Sequence, residues 1–245
     1  MTEANGRGQS TPVLEVIVCS VADAIEAERG GAGRLEVVSH LECGGLTPPL
    51  ALVREILAAV SVPVRVMLRE NAGYGVTGAA EIERLCAAAD ELSALGVDGL
   101  VLGFLHDGEI DLDVTKRILS YAPNLKATFH HAFDEATDPF KAIEKLKKIE
   151  QIDRILTGGR KGNWTHRIER LANVERAARP EITLLAGGGL DASVIRWICE
   201  ATGIREFHVG RAARVPERAE GVVQASRVRE LVRVLEQCSS RVVHE

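Results

Sequence analysis

Strand-like and helix-like segments alternate along almost the whole chain, and this strict alternation restricts the fold more than any other feature. Apolar, β-branched runs occur at residues 13–18, 34–38, 62–68, 99–102, 125–129, 154–156, 182–185 and 206–209. Segments with apolar residues three and four apart follow them, at 22–29, 50–59, 79–95, 112–121, 139–149, 167–178, 192–202 and 222–236. The pattern implies a parallel sheet, because each parallel strand needs a crossover that a helix supplies. Gly30, Gly31, Gly96 and Gly203 close helical segments just ahead of the next run, as glycine C-caps do. Eight such units in a chain of 245 residues predict an α/β fold, a single-domain (β/α)8 TIM-type barrel over residues 13–237. A dinucleotide-binding sheet fits less well, since Gly187-Gly188-Gly189 follows the seventh run and is not GxGxxG.

The ends, 1–12 and 238–245, read as tails outside the barrel, the first of them polar and disordered. With 46% hydrophobic and 27% charged residues the rest has the composition of a globular core. A net charge of −5 offers no basic field for nucleic acid, and no apolar run approaches the roughly 18 residues of a membrane span. The first eleven residues lack the apolar stretch of a targeting signal. The expectation is a cytoplasmic protein whose partner is a small molecule or metal ion, not nucleic acid or membrane. A homo-oligomer stays open, because exposed barrel helices often mediate dimers. The five cysteines, Cys19, Cys43, Cys86, Cys199 and Cys238, are odd in number and show no CxxC spacing. They read as reduced thiols, not as a disulfide framework or a zinc site.

Side chains alternate faces along a strand, so parity sorts the polar residues. Glu15, Ile17 and Cys19 share a side of the first strand, Glu36 and Val38 of the second, Arg65, Met67 and Arg69 of the third, Thr128 and His130 of the fifth. The alternate positions, among them Leu14, Val16, Val18, Leu35, Val37, Val64, Val66 and Leu68, are uniformly apolar and suit the layer beneath the helices. The polar set therefore faces the barrel axis. Buried charges must be paired or must border a solvated site, and the two readings stay level. Parity also separates the adjacent histidines, with His130 inward and His131 at the start of a helix or on the surface.

Thr128-Phe129-His130-His131-Ala132-Phe133-Asp134 runs from a strand end into two histidines and a carboxylate, where parallel α/β proteins place their ligands. The late loops carry a second signal. Gly159 with Arg160 and Lys161, then Gly187, Gly188 and Gly189, then Gly210 with Arg211, follow strands six to eight, where barrels frequently bind phosphate. Glycine lets backbone amides approach an anion and arginine adds forked donors, so these residues with Arg69 are the expected anion site.

Several ordered motifs then resemble one family. Leu14-Glu15-Val16, the stretch Gly30 to Glu36, Gly44-Gly45-Leu46-Thr47-Pro48, Asp98 to Val101 with Gly103, Thr128-Phe129-His130 with Ala132-Phe133-Asp134, Ile155-Leu156-Thr157 with Gly159, and Gly187 to Gly189 with Phe207-His208 are similar to the CutC family of copper homeostasis proteins. That resemblance covers about residues 13–214. It implies a (β/α)8 barrel, a cytoplasmic role in copper tolerance, and Cu(I) as the bound ion, held by cysteines inside the barrel. The implied ligand positions lie two residues after each strand glutamate, and here they are Ile17 and Val38. Neither side chain can bind a metal, and Cu(I) favours soft sulfur donors. A compensating metal pair would be Cys19, roughly 6.6 Å beyond Ile17 along the strand, with Cys43, assisted by Met67, His40 or His208.

The resemblance carries Glu15, Glu36, Arg69, His130, Asp134 and His208 onto matching positions. It departs after the third strand, where the family pattern Arg-Pro-Arg-Gly-Gly-Asp is replaced by Arg69-Glu70-Asn71-Ala72-Gly73-Tyr74. Carboxylates, arginine and histidines without thiols suit acid/base chemistry. Two classes of function follow: copper handling, as the resemblance implies, and a barrel enzyme acting on a small anionic, sugar-like or phosphorylated metabolite.

Loss of both strand thiols predicts weak copper binding. Cu(I) titration of the reduced protein against a competing chelator should show lower affinity than in relatives that keep both cysteines. Tight binding that survives Cys19→Ser with Cys43→Ser would contradict this and the replacement pair together.

Overall fold

The computed structural model describes residues 11–241, and every expected apolar run in it becomes a strand. These are β1 (Val13–Val18), β2 (Arg34–Val37), β3 (Val64–Met67), β4 (Gly99–Leu102), β5 (Lys126–Phe129), β6 (Ile152–Thr157), β7 (Thr183–Ala186) and β8 (Glu206–Val209). All pair in parallel with their neighbours, and β8 closes on β1 with Val13 opposite Glu206 and Glu15 opposite His208. The result is the expected TIM-type barrel.

The crossovers are α1 (Val21–Gly30), α2 (Leu50–Ala59), α3 (Ala79–Leu95), α4 (Leu112–Leu119), α5 (Pro139–Leu146), α6 (Trp164–Ala178) and α7 (Ala192–Thr202), with α8 (Ala225–Arg241) after β8. Local chemistry sets their ends. Ser20 accepts the Asp23 amide at 3.1 Å to start α1, and Gly31 stops it at φ 95°. Asp191 caps α7 through Ser193 and Val194, and Gly203 ends it at φ 72°.

Two boundaries differ from expectation. Val222–Val223 pairs with Arg214–Val215 instead of opening the last helix, because the Val223 amide is held by buried Asp23 at 3.0 Å. The last helix runs to Arg241, past residue 237, so part of the expected C-terminal tail is helical. Residues 1–10 and 242–245 of the two expected tails lie outside the described residues.

The alternate strand positions form the layer beneath the helices as parity requires, with Val16, Val18, Leu35, Val37, Val66 and Leu68 fully buried. Each contributes on the order of 1.5–3 kcal/mol. The opposite face divides by height. At the amino end of the barrel Arg34 binds Glu15 and reaches Glu206 at 2.7 Å, and Arg154 forks onto Glu206 at 2.6 and 3.0 Å. Arg65 forks onto Asp153 at 2.8 and 2.7 Å and reaches Asp98 at 3.2 Å and Thr128 at 2.8 Å. The structural ion-pair reading holds for Arg65 and Glu15; Glu36 and Arg69 lie outside this network.

Arg34 joins two carboxylates with almost no water access, so its loss leaves both charges stranded. Arg34→Met should cost about 3–5 kcal/mol in urea unfolding; a loss below about 1 kcal/mol would contradict the network's role. Burial alone would raise Glu15 and Glu206, but Arg34 with His208, and Arg154 with Arg34, outweigh it and hold both low. Their contribution is therefore complete above the ordinary carboxyl value of 4.5 and is lost as pH falls below it.

Candidate functional site

Above the ion network, the carboxyl ends of the strands surround a cavity of about 1190 Å³. Glu36 from β2, Arg69 after β3, His130 after β5 and His208 from β8 all line it. Glu15 lies one step lower, beneath His208. Its Oε1 is 2.8 Å from His208 Nδ1 while its other oxygen binds Arg34. His208 Nε2 is 3.4 Å from Glu36 Oε2, so one imidazole bridges two carboxylates.

Glu36 is buried, and its Oε1 has no hydrogen-bond partner among the described residues. Burial, reinforced by Glu15 and opposed by His208 and Arg34, pushes its carboxyl up to about 7. His208 moves up as well: burial disfavours its charge, but Glu36 and Glu15 hold the proton. Glu15 stays ionised beneath them, held low chiefly by Arg34, while Glu36 and His208 both hold their protons to higher pH than usual, as a proton-transfer site requires.

His130 faces the cavity from the opposite wall. Its ring fits because residue 103 is glycine; a Cβ there would stand 2.5 Å from the ring nitrogen. Nδ1 accepts the Ala132 amide at 3.2 Å, and Nε2 has no partner. Burial, with Arg69 and His131 adding positive potential, pushes its pKa down to about 3. Tyr74 packs on this ring at 5.5 Å and lies 4.9 Å from the Arg69 guanidinium.

Arg69 is held by carbonyls and not by acids: Ala72, Gly73 at 3.3 Å and Gly45 at 3.5 Å. The departing segment Arg69 to Tyr74 therefore wraps its own cation and leaves its charge uncompensated.

Asp134 is placed differently from the other expected catalytic residues. Its Oδ1 accepts Thr157 Oγ1 at 2.5 Å and the Arg160 amide at 3.1 Å; its Oδ2 accepts the Gly158 amide at 2.9 Å and lies 2.9 Å from His131 Nδ1. It thus fills the turn after β6 with an internal anion. Although burial opposes it, these bonds hold its carboxyl below the ordinary value. His131 opens the short helix Ala132–Glu135, as expected, and it is half-buried, lining the cavity beside Asp134 and meeting His208 edge-on at 6.5 Å.

The late loops are only partly free for a ligand. The Gly159 amide goes to Thr157 Oγ1 at 3.0 Å and the Gly187 amide to the Thr157 carbonyl at 2.9 Å. Gly188 and Gly189, both left-handed at φ 80° and 85°, line the cavity with Gly210 and Arg211. Arg167 and Arg170 tie these loops together: Arg167 donates to the Gly158 and Gly188 carbonyls at 2.6 and 2.7 Å, and Arg170 to the Gly159 carbonyl at 2.6 Å. Their three-residue spacing on α6 looks like any solvated helix face, so the sequence reading missed them. Among the described residues, none of Arg69, Lys161, Arg167, Arg170 and Arg211 is ion-paired to a carboxylate. All five line the cavity.

The donors present do not fit Cu(I). Ile17, Cys19 and Leu41 pack against Val38, Met67 and Val101, an apolar plug where the thiols were implied. Ile17 Cδ1 lies 2.9 Å from where a Cβ on Gly210 would sit, so the isoleucine fills that side. Cys19 Sγ sits 3.5 Å from Arg214 Nη2, and burial pushes its thiol up, whereas Cys43 is exposed at the cavity wall. One thiol is thus partly buried against an arginine and the other stands exposed at the wall. Among the described residues, the cluster of three or more His, Cys, Asp or Glu with ligand atoms within 4.8 Å of one another is Glu15, Glu36 and His208, hard oxygen and nitrogen already in contact with one another.

The raised carboxyl is directly measurable. The protonated-carboxyl infrared band of Glu36 should persist to a midpoint near pH 7 and vanish in Glu36→Gln. A raised folded-state pKa gives stability that is complete below 4.5 and is lost as pH rises through about 7. Glu36→Gln should therefore gain stability relative to the parent over that interval. A band that titrates in the ordinary carboxyl range would refute the assignment.

Comparison with known proteins agrees with the resemblance in the motifs. The CutC family model matches residues 12–213. A CutC family protein of Xanthomonas campestris pv. campestris strain B100 is 34% identical over 208 residues, covering 84% of this chain and 85% of its own. The human copper homeostasis protein cutC homolog is 35% identical over 197 residues, covering 80% of this chain and 72% of its own. The crystal structure of the copper homeostasis protein CutC from Streptococcus agalactiae superposes with a TM-score of 0.75 at 26% identity, covering 82% of this chain and 98% of that one. A barrel of this topology, matched over most of its length, belongs to the CutC family.

Proposed function

We propose that this protein is a barrel enzyme performing acid/base chemistry on a small anionic metabolite. The observation that carries it is a buried carboxyl with a free oxygen beneath a ring of cations that lack carboxylate partners. Glu36 moves the proton, His208 shares it, and Glu15 fixes the His208 ring by holding Nδ1, as a carboxylate does for a catalytic imidazole. Arg69, Lys161 and Arg211, with the Gly188 and Gly189 loop, hold the anion. Asp134 acts one step back, as the internal counter-charge that shapes the β6 turn.

A role in copper homeostasis, the name carried by the human and mouse relatives, is the second reading. The exposed Cys43 at the cavity wall favours it, since a thiolate there can meet Cu(I) without entering the plugged interior. Cytoplasmic work suits either reading: the five cysteines are free, and burial beside Cys238 pushes the Cys199 thiol up to about 12.

Calorimetric titration with inorganic phosphate and small sugar phosphates tests the first reading. Arg69→Ala should weaken binding by about 10- to 100-fold, equivalent to roughly 1.5–3 kcal/mol for hydrogen bonds to a charged group. Arg69→Lys should restore part of the affinity through charge alone. If no anion binds the parent protein, or if Arg69→Ala binds like it, the enzyme reading fails and copper handling through Cys43 becomes the better account.

A further inference from the structure

Four buried side-chain atoms have no hydrogen-bond partner among the described residues, and two of them, Oε1 of Glu36 and Nε2 of His130, belong to residues that line the cavity at barrel strand ends. Their chemistry is opposite. His130 Nδ1 accepts the Ala132 amide, so the one N–H of the neutral ring lies on Nε2. The ring stays neutral because burial and the nearby Arg69 charge disfavour a second proton. Nε2 is thus a fixed donor that carries no charge. Glu36 is the complement: its Oε2 faces His208, and Oε1 is left to take or give a proton. A buried donor and a buried proton acceptor without partners each cost on the order of 1–3 kcal/mol, which a ligand satisfying both removes.

We propose that the substrate is a phosphorylated hydroxy-aldehyde or hydroxy-ketone, with Glu36 Oε1 taking the proton next to the carbonyl while His130 Nε2–H holds the carbonyl oxygen. This rests on the acid/base reading above and names its substrate class. As the C–H bond breaks, its electron pair forms a C=C bond and the carbonyl π pair moves onto oxygen, giving an enediolate bonded to Nε2–H. Glu36 returns the proton to the neighbouring carbon, and the hydroxyl proton crosses to the former carbonyl oxygen. Atoms and electrons balance as an isomerisation. The phosphate lies against Lys161, Arg211 and the left-handed Gly188–Gly189 turn, whose amides have no acceptor among the described residues.

The test uses the full-length protein with 15N-labelled histidine. Its probes are 2-phosphoglycolate as a planar enediolate mimic, inorganic phosphate as control, and dihydroxyacetone phosphate and ribulose 5-phosphate for deuterium wash-in from heavy water. His130 should be the neutral Nε2–H tautomer at neutral pH. 2-Phosphoglycolate should shift its Nε2 signal and bind at least about tenfold tighter than phosphate, equivalent to about 1.4 kcal/mol. At least one carbonyl phosphate should gain deuterium, at a rate rising through about pH 7 as Glu36 ionises. Glu36→Gln should lose wash-in at least about 100-fold while still binding 2-phosphoglycolate, the scale of a positioned acid/base group. His130→Gln, which keeps an N–H, should retain more exchange than His130→Ala. If phosphate binds in an Arg69-dependent way but the His130 signal does not respond, or no wash-in occurs, this inference falls and the anion-site reading stands. If neither phosphate nor 2-phosphoglycolate binds, both fall. A protonated or Nδ1–H His130 overturns the inference alone.

Discussion

The two oxygens of Glu15 join the halves of this barrel. One binds Arg34 and, through Glu206, the ion network that closes the amino end; the other holds His208 and, through it, Glu36 at the floor of the cavity. A fully buried carboxylate is tolerable only when both oxygens are occupied by charge or strong donors. Glu15 meets that condition, and Glu36 does not. The unequal environments drive the two carboxyls apart, one far below its ordinary value and one up to about 7. A pair of acids separated in this way suits proton transfer, because one stays charged to orient and the other changes state.

Charge at the cavity mouth follows the same logic in reverse. Asp134 supplies the turn after β6 with its own anion, so the Gly158 and Arg160 amides are already satisfied. What remains positive lies around it: Arg69 fixed by carbonyls, Arg167 and Arg170 bracing the glycine loops, and Lys161 and Arg211 on the rim. Of the glycine amides in the late loops, those of Gly159 and Gly187 are used within the fold, while Arg69, Arg167 and Arg170 are oriented by backbone carbonyls.

Family membership and chemistry part at copper. Ile17 and Val38 belong to an apolar plug with Met67 and Val101, and the Ile17 terminal methyl would lie 2.9 Å from a Cβ at Gly210. The sulfur atoms in that plug are Cys19, beside Arg214, and the thioether of Met67, whereas the polar half of the cavity keeps hard donors and cations. The same barrel can serve two chemistries by exchanging a few inward residues, since fold alone assigns no function.

The barrel was legible in the sequence because strand and helix periods are local properties, and eight repeats of the alternation leave few topologies. Parity placed Glu15, Glu36, Arg69 and His130 on the inward face correctly, since the two-residue period of a strand depends only on the backbone. Height along the axis and partner choice were not legible. That Arg34 would claim Glu15, that Asp134 would occupy the β6 turn, and that His131 would meet His208 depend on register between strands far apart in the chain. The donor sense of His130, the free oxygen of Glu36 and the differing burial of Cys19 and Cys43 were likewise decided by tertiary structure. Burial and the nearest charge are set by neighbours that only closure of the barrel brings together.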